Sequence, residues 1–359
     1  MSVEEFLELF TKELEVNSDL RHYYRLINNR ERYLWRKAYF EQRLSYVAQK
    51  LNPSQKKVWD VGCGYATTSI FLTLNGFSVK SNTLEFYYDK IRNRLDYWSR
   101  FGNLDNLQVE YANLFDMPVQ NHAFDAIIAQ DTLHHLEPIE HALNIFSRSL
   151  KPAGRLIVTE ENGQSLFIMM KNISKRGFNR ISHYYDEKLQ KTILFGNENA
   201  RSLKTWRRLL TRQGFEVPED NVEYVRLFPH FFYNENNYMK IPLKEEQAGK
   251  DFPLVRNFLF FGINFTAIQN KANMSSDNNN AVPVEVFAGQ QWEAALVKSL
   301  LENAEIQAFM KDEIRGTTMP WQVTPGGVHS VKVVVSSDDL ELARQVVQDF
   351  ETNRNRNED

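Results

Sequence analysis

Between residues 56 and 160 the sequence alternates between strand-like and helix-like segments. The strand-like runs are KKVWDV, GFSVKSNTL, LQVEYA, FDAIIAQ and GRLIVTE. The segments 66–75, 87–100 and 139–150 between them carry apolar residues at helical spacing. This alternation is typical of βαβ units, in which helices connect parallel strands and cover both faces of the sheet. The sequence therefore predicts an α/β fold with a mainly parallel sheet.

Helical patterns flank this region, and two further segments interrupt it. Residues 1–51 carry apolar and aromatic side chains three to four positions apart and predict an N-terminal helical cap. We expect the main domain to span residues 52–270, because the strand-like run FLFFGINFTAI ends there. Mixed insertions occupy residues 162–200 and 229–252 of that domain.

The composition changes after the main domain. Residues 271–281 are rich in Asn and Ser without apolar periodicity, which is typical of a linker. Residues 282–351 have their own strand–helix–strand–strand–helix order and predict a small α+β domain. A polar tail occupies residues 352–359.

Charge and cysteine content exclude several classes of protein. The chain has 359 residues, a net charge of −3 and a pI near 6.3, so it is not a nucleic-acid-binding polycation. Its start, MSVEEFLELF, is acidic and lacks a charged-then-apolar leader, and no apolar run reaches membrane-spanning length. The single cysteine, Cys63, excludes an internal disulfide. We therefore expect a cytoplasmic protein.

A glycine turn follows the first strand, in the segment VWDVGCGYATTSIFL. Gly62 and Gly64 form a GxG pair, and Asp60 lies in the strand two residues before it. Thr67 occupies the position of the third glycine of a dinucleotide-binding fingerprint, and no P-loop lysine follows. The turn alone is compatible with a dinucleotide, another ligand without phosphate, or a tight βα connection.

Several segments, in order, resemble the class I S-adenosylmethionine-dependent methyltransferases. They are WDVGCGYA, YANLFDMPVQNHAFDAIIAQDTLHHLEP and LKPAGRLIVTEE, with a looser match around LLTRQGFEV. The resemblance covers about residues 52–160, and more loosely 200–269. It implies a Rossmann-like, seven-stranded, mainly parallel sheet with helices on both faces, S-adenosyl-L-methionine as cofactor, and substrate lids in the two insertions.

The resemblance also implies the residues that bind the cofactor. Glycines at positions 62 and 64 let the backbone approach the ligand where a Cβ would collide. We expect Glu85 to hold the ribose hydroxyls, although Thr83 occupies the ungapped position. The amide of Asn113 can accept a hydrogen bond from the adenine amine, and Leu114 would pack on the adenine. The full predicted set is Asp60, Gly62, Cys63, Gly64, Glu85, Asn113, Leu114, Gln130 and Asp131.

The segment LHHLEP suggests a catalytic role for His134 or His135. Either histidine would follow the fourth strand, beside the expected methyl group, and could take a proton from the acceptor near neutral pH. The alternative is that both are structural, because positioning alone can accelerate an in-line displacement. No cluster of His, Cys and carboxylates has metal-ligand spacing, so we predict no metal site.

The sequence gives weaker indications about the substrate. Residues 18–50 carry eight basic and three acidic side chains, and residues 171–212 carry eleven and three. With the apolar run SLFIMM, these segments favour a small hydrophobic or lipid-like acceptor, and a peripheral membrane contact. Nucleic acid is less favoured as a substrate. Enzymes that methylate amino groups of bases carry an Asn-Pro-Pro-Tyr type signature at the fourth strand, where this chain has AQDTLHHL. The candidate substrate-binding residues are Tyr33, Trp35 and Tyr39.

Residues 282–351 resemble a small bacterial signal-transducing domain with a PII-like or ferredoxin-like fold. The likeness rests on VEVFAGQQWEAALVKSLLENAEIQAFMKDE and VKVVVSSDDLELARQVVQDF. It implies contact with a protein or a ligand. We therefore expect an enzyme that methylates a small acceptor. The alternatives are a regulatory protein that binds S-adenosylmethionine without turnover, and an RNA or protein methyltransferase.

Overall fold

The computed structural model of the chain describes residues 1–52, 54, 56–84, 88–253, 255–270, 283–304, 306–311 and 331–356. The predicted linker 271–281 and the last three residues of the predicted tail lie outside these ranges. The chain divides into two compact units, Met1–Met274 and Ser275–Asp359.

The first unit is built on one large, mainly parallel sheet. Its strands and those of a separate hairpin are β1 (Lys57–Val61), β2 (Ser78–Thr83), β3 (Leu107–Tyr111), β4 (Phe124–Gln130), β5 (Leu150–Glu161), β6 (Ile181–Asp186), β7 (Lys191–Gly196), β8 (Phe215–Glu216), β9 (Val222–Val225) and β10 (Gly262–Gln269). The sheet order is β3-β2-β1-β4-β5-β10-β8, with β9 also paired to β10. Strands β1 to β5 run parallel to one another. Strand β10 is antiparallel to its neighbours β5, β8 and β9. The predicted α/β fold is therefore confirmed.

The described part of this sheet has eight strands in seven positions. The short β8 pairs with the end of β10, whereas β9 pairs with its start. Pro218, between β8 and β9, has no N–H to donate to a ladder and precedes a 3₁₀ turn over Glu219–Asn221. The outermost position is therefore divided into two strands where the resemblance implied seven strands in all.

Helices cover both faces of the sheet. They are α1 (Val3–Val16), α2 (Ser18–Tyr24), α3 (Arg30–Lys50), α4 (Thr67–Leu74), α5 (Ile91–Trp98), α6 (Ile139–Ser149), α7 (Leu166–Arg176), α8 (Leu203–Arg212), α9 (Ile241–Asp251) and α10 (Arg256–Leu259). Alternate residues of the central strands face opposite ways, so Val58 and Ile128 pack against α1–α5 while Trp59 and Ile127 pack against α6 and α8.

The N-terminal helices pack directly on the sheet domain. Phe6 and Phe10 of α1 share a hydrophobic cluster with Phe71 of α4 and Trp98 of α5. Buried Arg94 of α5 donates from Nε and Nη2 to the two carboxylate oxygens of Glu13, each at 2.8 Å. Apolar packing and a buried ion pair therefore hold α1 against α5.

The two insertions form additional structure around the sheet. The segment 162–200 contains α7 and the antiparallel hairpin β6–β7. The segment 229–252 contains a 3₁₀ turn over His230–Phe232 and α9. Helix α9 packs against β9, so the second insertion lies beside the antiparallel edge of the sheet.

The second unit is a small α+β fold. It consists of β11 (Pro283–Gly289), α11 (Gln291–Asn303), β12 (Ala308–Lys311), β13 (Val331–Ser336) and α12 (Leu340–Arg356). The antiparallel sheet has the order β11-β13-β12, and Val333, Val297 and Val347 belong to one buried cluster. Across both units, the described helices include none long and apolar enough to cross a membrane.

Candidate active site

A cavity of about 760 Å³ opens at the carboxyl ends of the parallel strands in the first unit. This edge is where open α/β sheets bind ligands. Its walls come from α2 and α3, from the loops after β1–β5, and from the first insertion. Its lining includes the predicted residues Asp60, Gly62, Cys63, Gly64, Asn113, Leu114, Gln130, Asp131, His134 and His135.

The glycine turn forms one end of the cavity. Gly62 and Gly64 have φ angles of +64° and +54°, a region that L side chains rarely adopt. A Cβ on Gly62 would approach Thr132 Cγ2 to 2.4 Å, and one on Gly64 would approach Tyr23 Oη to 3.3 Å. At Gly62 a side chain would therefore collide with Thr132 of the protein. The sequence had led us to expect a collision with the ligand.

Asp60 is a buried carboxyl group below the turn. It accepts a hydrogen bond from Ser69 Oγ at 2.5 Å, and Ser69 also bonds Ser81 at 2.9 Å. Burial raises the pKa of Asp60 to about 7, although Ser69 and the charge of Arg43 oppose this shift. Asp60 therefore anchors the start of α4 to the sheet.

The wall after β2 and β3 is formed by Thr83, Asn113 and Leu114. The Asn113 side chain accepts a hydrogen bond from the Phe115 N–H at 3.2 Å, and its oxygen retains a second lone pair. Leu114 is almost fully buried yet lines the cavity. Thr83 lines the cavity as well, whereas Glu85, the predicted ribose ligand, lies outside the described residues.

The loop after β4 places Asp131 beside an arginine of α3. Arg43 Nη1 donates to Asp131 Oδ2 at 2.6 Å, and Asp131 has a positive φ of 48°. Burial raises the pKa of the Asp131 carboxyl, but Arg43, Arg226 and His134 outweigh this and hold it below its ordinary value. Among the described residues, nothing hydrogen-bonds to the buried Oδ1 of Asp131. Nearby Gln130 accepts from the hydroxyl of Thr68.

His134 is buried and paired with a carboxylate. Its Nδ1 lies 2.6 Å from Glu160 Oε2, and Glu160 Oε1 accepts from the N–H groups of Thr132 and Leu133 at 3.0 and 2.6 Å. Burial lowers the pKa of His134, but Glu160 more than reverses this and raises it to about 9. Because this ring is protonated at neutral pH, the structure argues against His134 as the general base.

His135 lines the cavity and, unlike His134, favours the neutral state. Its Nδ1 lies 3.0 Å from the Gly196 carbonyl oxygen, which can only accept, so Nδ1 carries the proton and neutral Nε2 has a lone pair. Burial and the His134 cation lower the pKa of His135. The ring centroids of His134 and His135 are 4.0 Å apart. His135 is therefore neutral and able to accept a proton at neutral pH.

Tyr33, Trp35 and Tyr39 of α3 do not line the cavity. Tyr33 packs against the hydrophobic cluster beneath α1–α5. The ring of Tyr39 lies behind the wall, with its centroid 4.4 Å from Arg226 Cζ and 5.2 Å from Arg43 Cζ. Tyr39 therefore contacts two lining arginines instead of the cavity.

Sequence reasoning missed three charged groups at the site. Arg43 follows Tyr39 by four positions on α3, and this spacing could have indicated a shared helix face. Glu160 ends a strand at the binding edge of a predicted parallel sheet, which was also a usable signal. Arg226 follows a short edge strand, and no sequence pattern indicated it. Within the described residues, no group of His, Cys, Asp and Glu could hold a metal ion.

Family models match two segments of the chain. Residues 52–214 match a model described as "Methyltransferase domain". Residues 284–351 match a model described as "Putative prokaryotic signal transducing protein". The first match includes the glycine turn and the histidine pair.

Two curated proteins and a solved structure are similar to part of this chain. "Methyltransferase GfsG" of Streptomyces halstedii is 28% identical over 110 residues, 29% of this chain and 37% of that protein. "Ubiquinone biosynthesis O-methyltransferase" of Rickettsia bellii is 27% identical over 127 residues, 33% of this chain and 50% of that protein. The chain thus spans about half or less of the length of these relatives. A structure of an S-adenosylmethionine dependent methyltransferase from Mesorhizobium loti is 14% identical, with a TM-score of 0.39 and coverage of 63% of this chain and 96% of that one.

Proposed function

Because residues 52–214 form an S-adenosylmethionine-dependent methyltransferase domain, we propose that the protein methylates a hydroxyl group of a small, hydrophobic acceptor. The observation that carries this proposal is a single cavity lined by both the glycine turn and neutral His135. The similarity to a ubiquinone biosynthesis O-methyltransferase supports an oxygen acceptor.

The residues around the glycine turn fit the cofactor. Backbone with positive φ at Gly62 and Gly64 allows close approach, and the free lone pair of Asn113 suits the adenine amine. The buried Asp131 Oδ1, without a partner in the described structure, suits the cofactor's ammonium group. When bound, S-adenosylmethionine supplies a methyl group on a sulfonium that is already a good leaving group.

The residues of the chain then position the acceptor and remove its proton. His135 Nε2 accepts the hydroxyl proton, so that the oxygen can attack in line. The carbonyl of Gly196 fixes the tautomer of His135, and Glu160 holds Thr132, Leu133 and His134 in place. Positioning inside the cavity supplies the remainder of the rate.

Apolar side chains on one side of the cavity support a hydrophobic acceptor. The hairpin β6–β7 contributes Tyr184, Ile193, Leu194 and Phe195, and Leu136 follows the histidine pair. These groups exclude water and favour a ring or an alkyl chain. The first insertion therefore forms part of the acceptor site in this proposal.

Helix α7 supports a peripheral membrane contact beside this site. Leu166, Phe167, Met169 and Met170 are exposed, and residues 166–180 contain four basic and no acidic side chains. An apolar face with basic neighbours suits an anionic lipid surface. We expect cosedimentation with phosphatidylglycerol vesicles, reduced in the double variant Phe167→Ser/Met170→Ser but not in Leu342→Ser on α12. Equal sedimentation of both variants would contradict the contact.

Transfer of a labelled methyl group tests the enzyme proposal. The full chain is incubated with methyl-labelled S-adenosylmethionine and a cell extract fractionated by polarity. We expect label in apolar small molecules, and its incorporation should be roughly a hundredfold or more slower with the His135→Gln variant. Label confined to RNA or protein fractions would contradict a small acceptor.

The C-terminal unit favours a second candidate, a regulatory protein that binds S-adenosylmethionine without turnover. The observation in its favour is the match of residues 284–351 to a signal-transducing family, which supports contact with a protein or ligand. Tight cofactor binding with no methyl transfer to any fraction would favour this candidate over the enzyme.

A further inference from the structure

Most charged side chains around the cavity belong to ion pairs. The pairs are Arg43 with Asp131, Lys171 with Glu161, Lys175 with Glu198, and His134 with Glu160. Arg226 also lines the cavity, but its guanidinium has neither an ion pair nor a hydrogen-bond acceptor among the described residues, and its Nε is buried. Burying a donor without an acceptor costs free energy unless a ligand satisfies it.

The surroundings of Arg226 hold its guanidinium in one place. The ring of Tyr39 lies 4.4 Å from Cζ, a cation–π contact that covers the planar face of the group. On another side, a Cβ on Gly262 would come within 2.7 Å of Nη2, so glycine makes room for the arginine there. The Tyr39 ring covers only the planar face of the Arg226 guanidinium. The N–H donors at the edge of the guanidinium are therefore available to bind an anion.

We propose that Arg226 binds a carboxylate group of the methyl acceptor, an inference that rests on the proposed methyltransferase function. A planar guanidinium matches a carboxylate with two parallel hydrogen bonds. A single guanidinium balances one negative charge, whereas a phosphate dianion would leave a charge uncompensated. The acceptor is therefore a hydrophobic acid with a hydroxyl group that receives the methyl.

The topology separates Arg226 from the glycine turn and from Asn113, although its charge acts on Asp131. Arg226 directly follows β9, at the antiparallel edge of the sheet, while the glycine turn follows β1 and Asn113 follows β3. At about 4.8 Å per strand position, β9 lies roughly 19 Å from β1. His135 follows β4, between the two groups. The carboxylate would thus bind on the far side of the proton acceptor from the glycine turn.

Binding of matched acids and amides tests this assignment. Calorimetry would measure the affinity of the full chain, saturated with S-adenosylhomocysteine, for a panel of acid–amide pairs beginning with 3,4-dihydroxybenzoate and 3,4-dihydroxybenzamide. We expect at least one acid to bind roughly tenfold or more tightly than its amide, because only the acid forms a charge-assisted pair. Arg226→Gln should remove this preference, Arg226→Lys should retain part of it, and Arg148→Gln on the exposed face of α6 should leave it unchanged.

Any result other than these would contradict the binding of an acceptor carboxylate by Arg226. If no acid binds better than its amide, or if the preference survives in Arg226→Gln, Arg226 is not the carboxylate site. If Arg226→Gln loses affinity for S-adenosylhomocysteine, the arginine serves the cofactor instead. Failure of the wild type to bind S-adenosylhomocysteine would contradict the proposed function itself, which separates the two claims.

Discussion

His134 and His135 are adjacent in sequence but differ in charge, and the reason lies in their partners. Burial lowers the pKa of both rings. Glu160 reverses the effect for His134, raising its pKa to about 9, while the resulting cation lowers the pKa of His135 further. At neutral pH His134 therefore carries a positive charge, whereas His135 is neutral. This arrangement keeps Nε2 of His135 available to accept a proton.

Replacing His135 with Gln should reduce the methyl-transfer rate by roughly 10²–10⁴-fold and leave cofactor affinity nearly unchanged. In the wild type the rate should fall as the pH drops through the His135 pKa, because the protonated ring cannot accept a proton. Because burial and the His134 cation hold that pKa below the ordinary value of a histidine, the acid limb should lie at lower pH than that of a free imidazole. Initial rates between pH 5 and 8 would measure both effects.

Two further variants complete this test. His134→Gln removes the neighbouring cation, so the His135 pKa should rise and the acid limb should move to higher pH. His141→Gln, an exposed histidine on α6, should change neither the rate nor the profile. A near-normal rate in His135→Gln would instead show that catalysis rests on positioning.

Helix α1 is held to α5 by a charge pair that is almost completely buried. The side chains of Arg94 and Glu13 are 0% and 2% exposed, and Trp98 Nε1 also donates to Glu13 at 2.8 Å. Arg94 additionally donates to Thr67 Oγ1 at 2.8 Å, at the first residue of α4. The N-terminal helices therefore also support the start of the helix that follows the glycine turn.

Glu13→Gln should lower the free energy of unfolding of the first unit by about 3–5 kcal/mol, because it leaves the buried charge of Arg94 uncompensated. Urea denaturation would measure the change. The matched control is Asp19→Asn, which breaks the exposed pair with Lys90 and should cost about 1 kcal/mol or less. Similar losses in both variants would contradict the role given to the buried pair.

The pattern of apolar residues predicted most of the fold, because strand and helix periodicities are local properties. The apolar run in FDAIIAQ and the helical spacing in residues 139–150 both appear as expected in β4 and α6. The division of the outer strand around Pro218 was not predicted, since β8 has only two residues and no periodicity of its own.

The site was partly predictable for the same reason. Gly62, Gly64 and Asn113 lie near strand ends in one sequence segment, so order along the chain indicated their proximity. Arg226 lies 95 residues beyond Asp131 in the sequence, and only tertiary pairing of β9 with β10 brings it to the cavity. The charge difference between the two histidines depended on Glu160 and Gly196, which no local pattern links to them.

A shortened chain ending at Asn270 should fold and bind S-adenosylhomocysteine like the full chain. The reason is that β10 completes the large sheet before the second unit begins, and the first unit extends to Met274. Thermal melting and calorimetry of the two chains would be compared. Aggregation of the shortened chain, or loss of cooperative melting, would mean that the two units share a core.

The central claim is that the glycine turn binds S-adenosylmethionine. Calorimetry of the full chain with S-adenosylhomocysteine and with NAD tests it most directly, using Gly64→Val and Gly76→Ala as variants. Gly64→Val should abolish binding, because Gly64 lines the cavity and Tyr23 Oη lies 3.3 Å from an added Cβ. Gly76 also has a positive φ, of +84°, but does not line the cavity, so Gly76→Ala should strain the backbone without loss of cofactor affinity. We predict that S-adenosylhomocysteine binds and NAD does not. Binding of NAD without S-adenosylhomocysteine, or full affinity in Gly64→Val, would contradict the account.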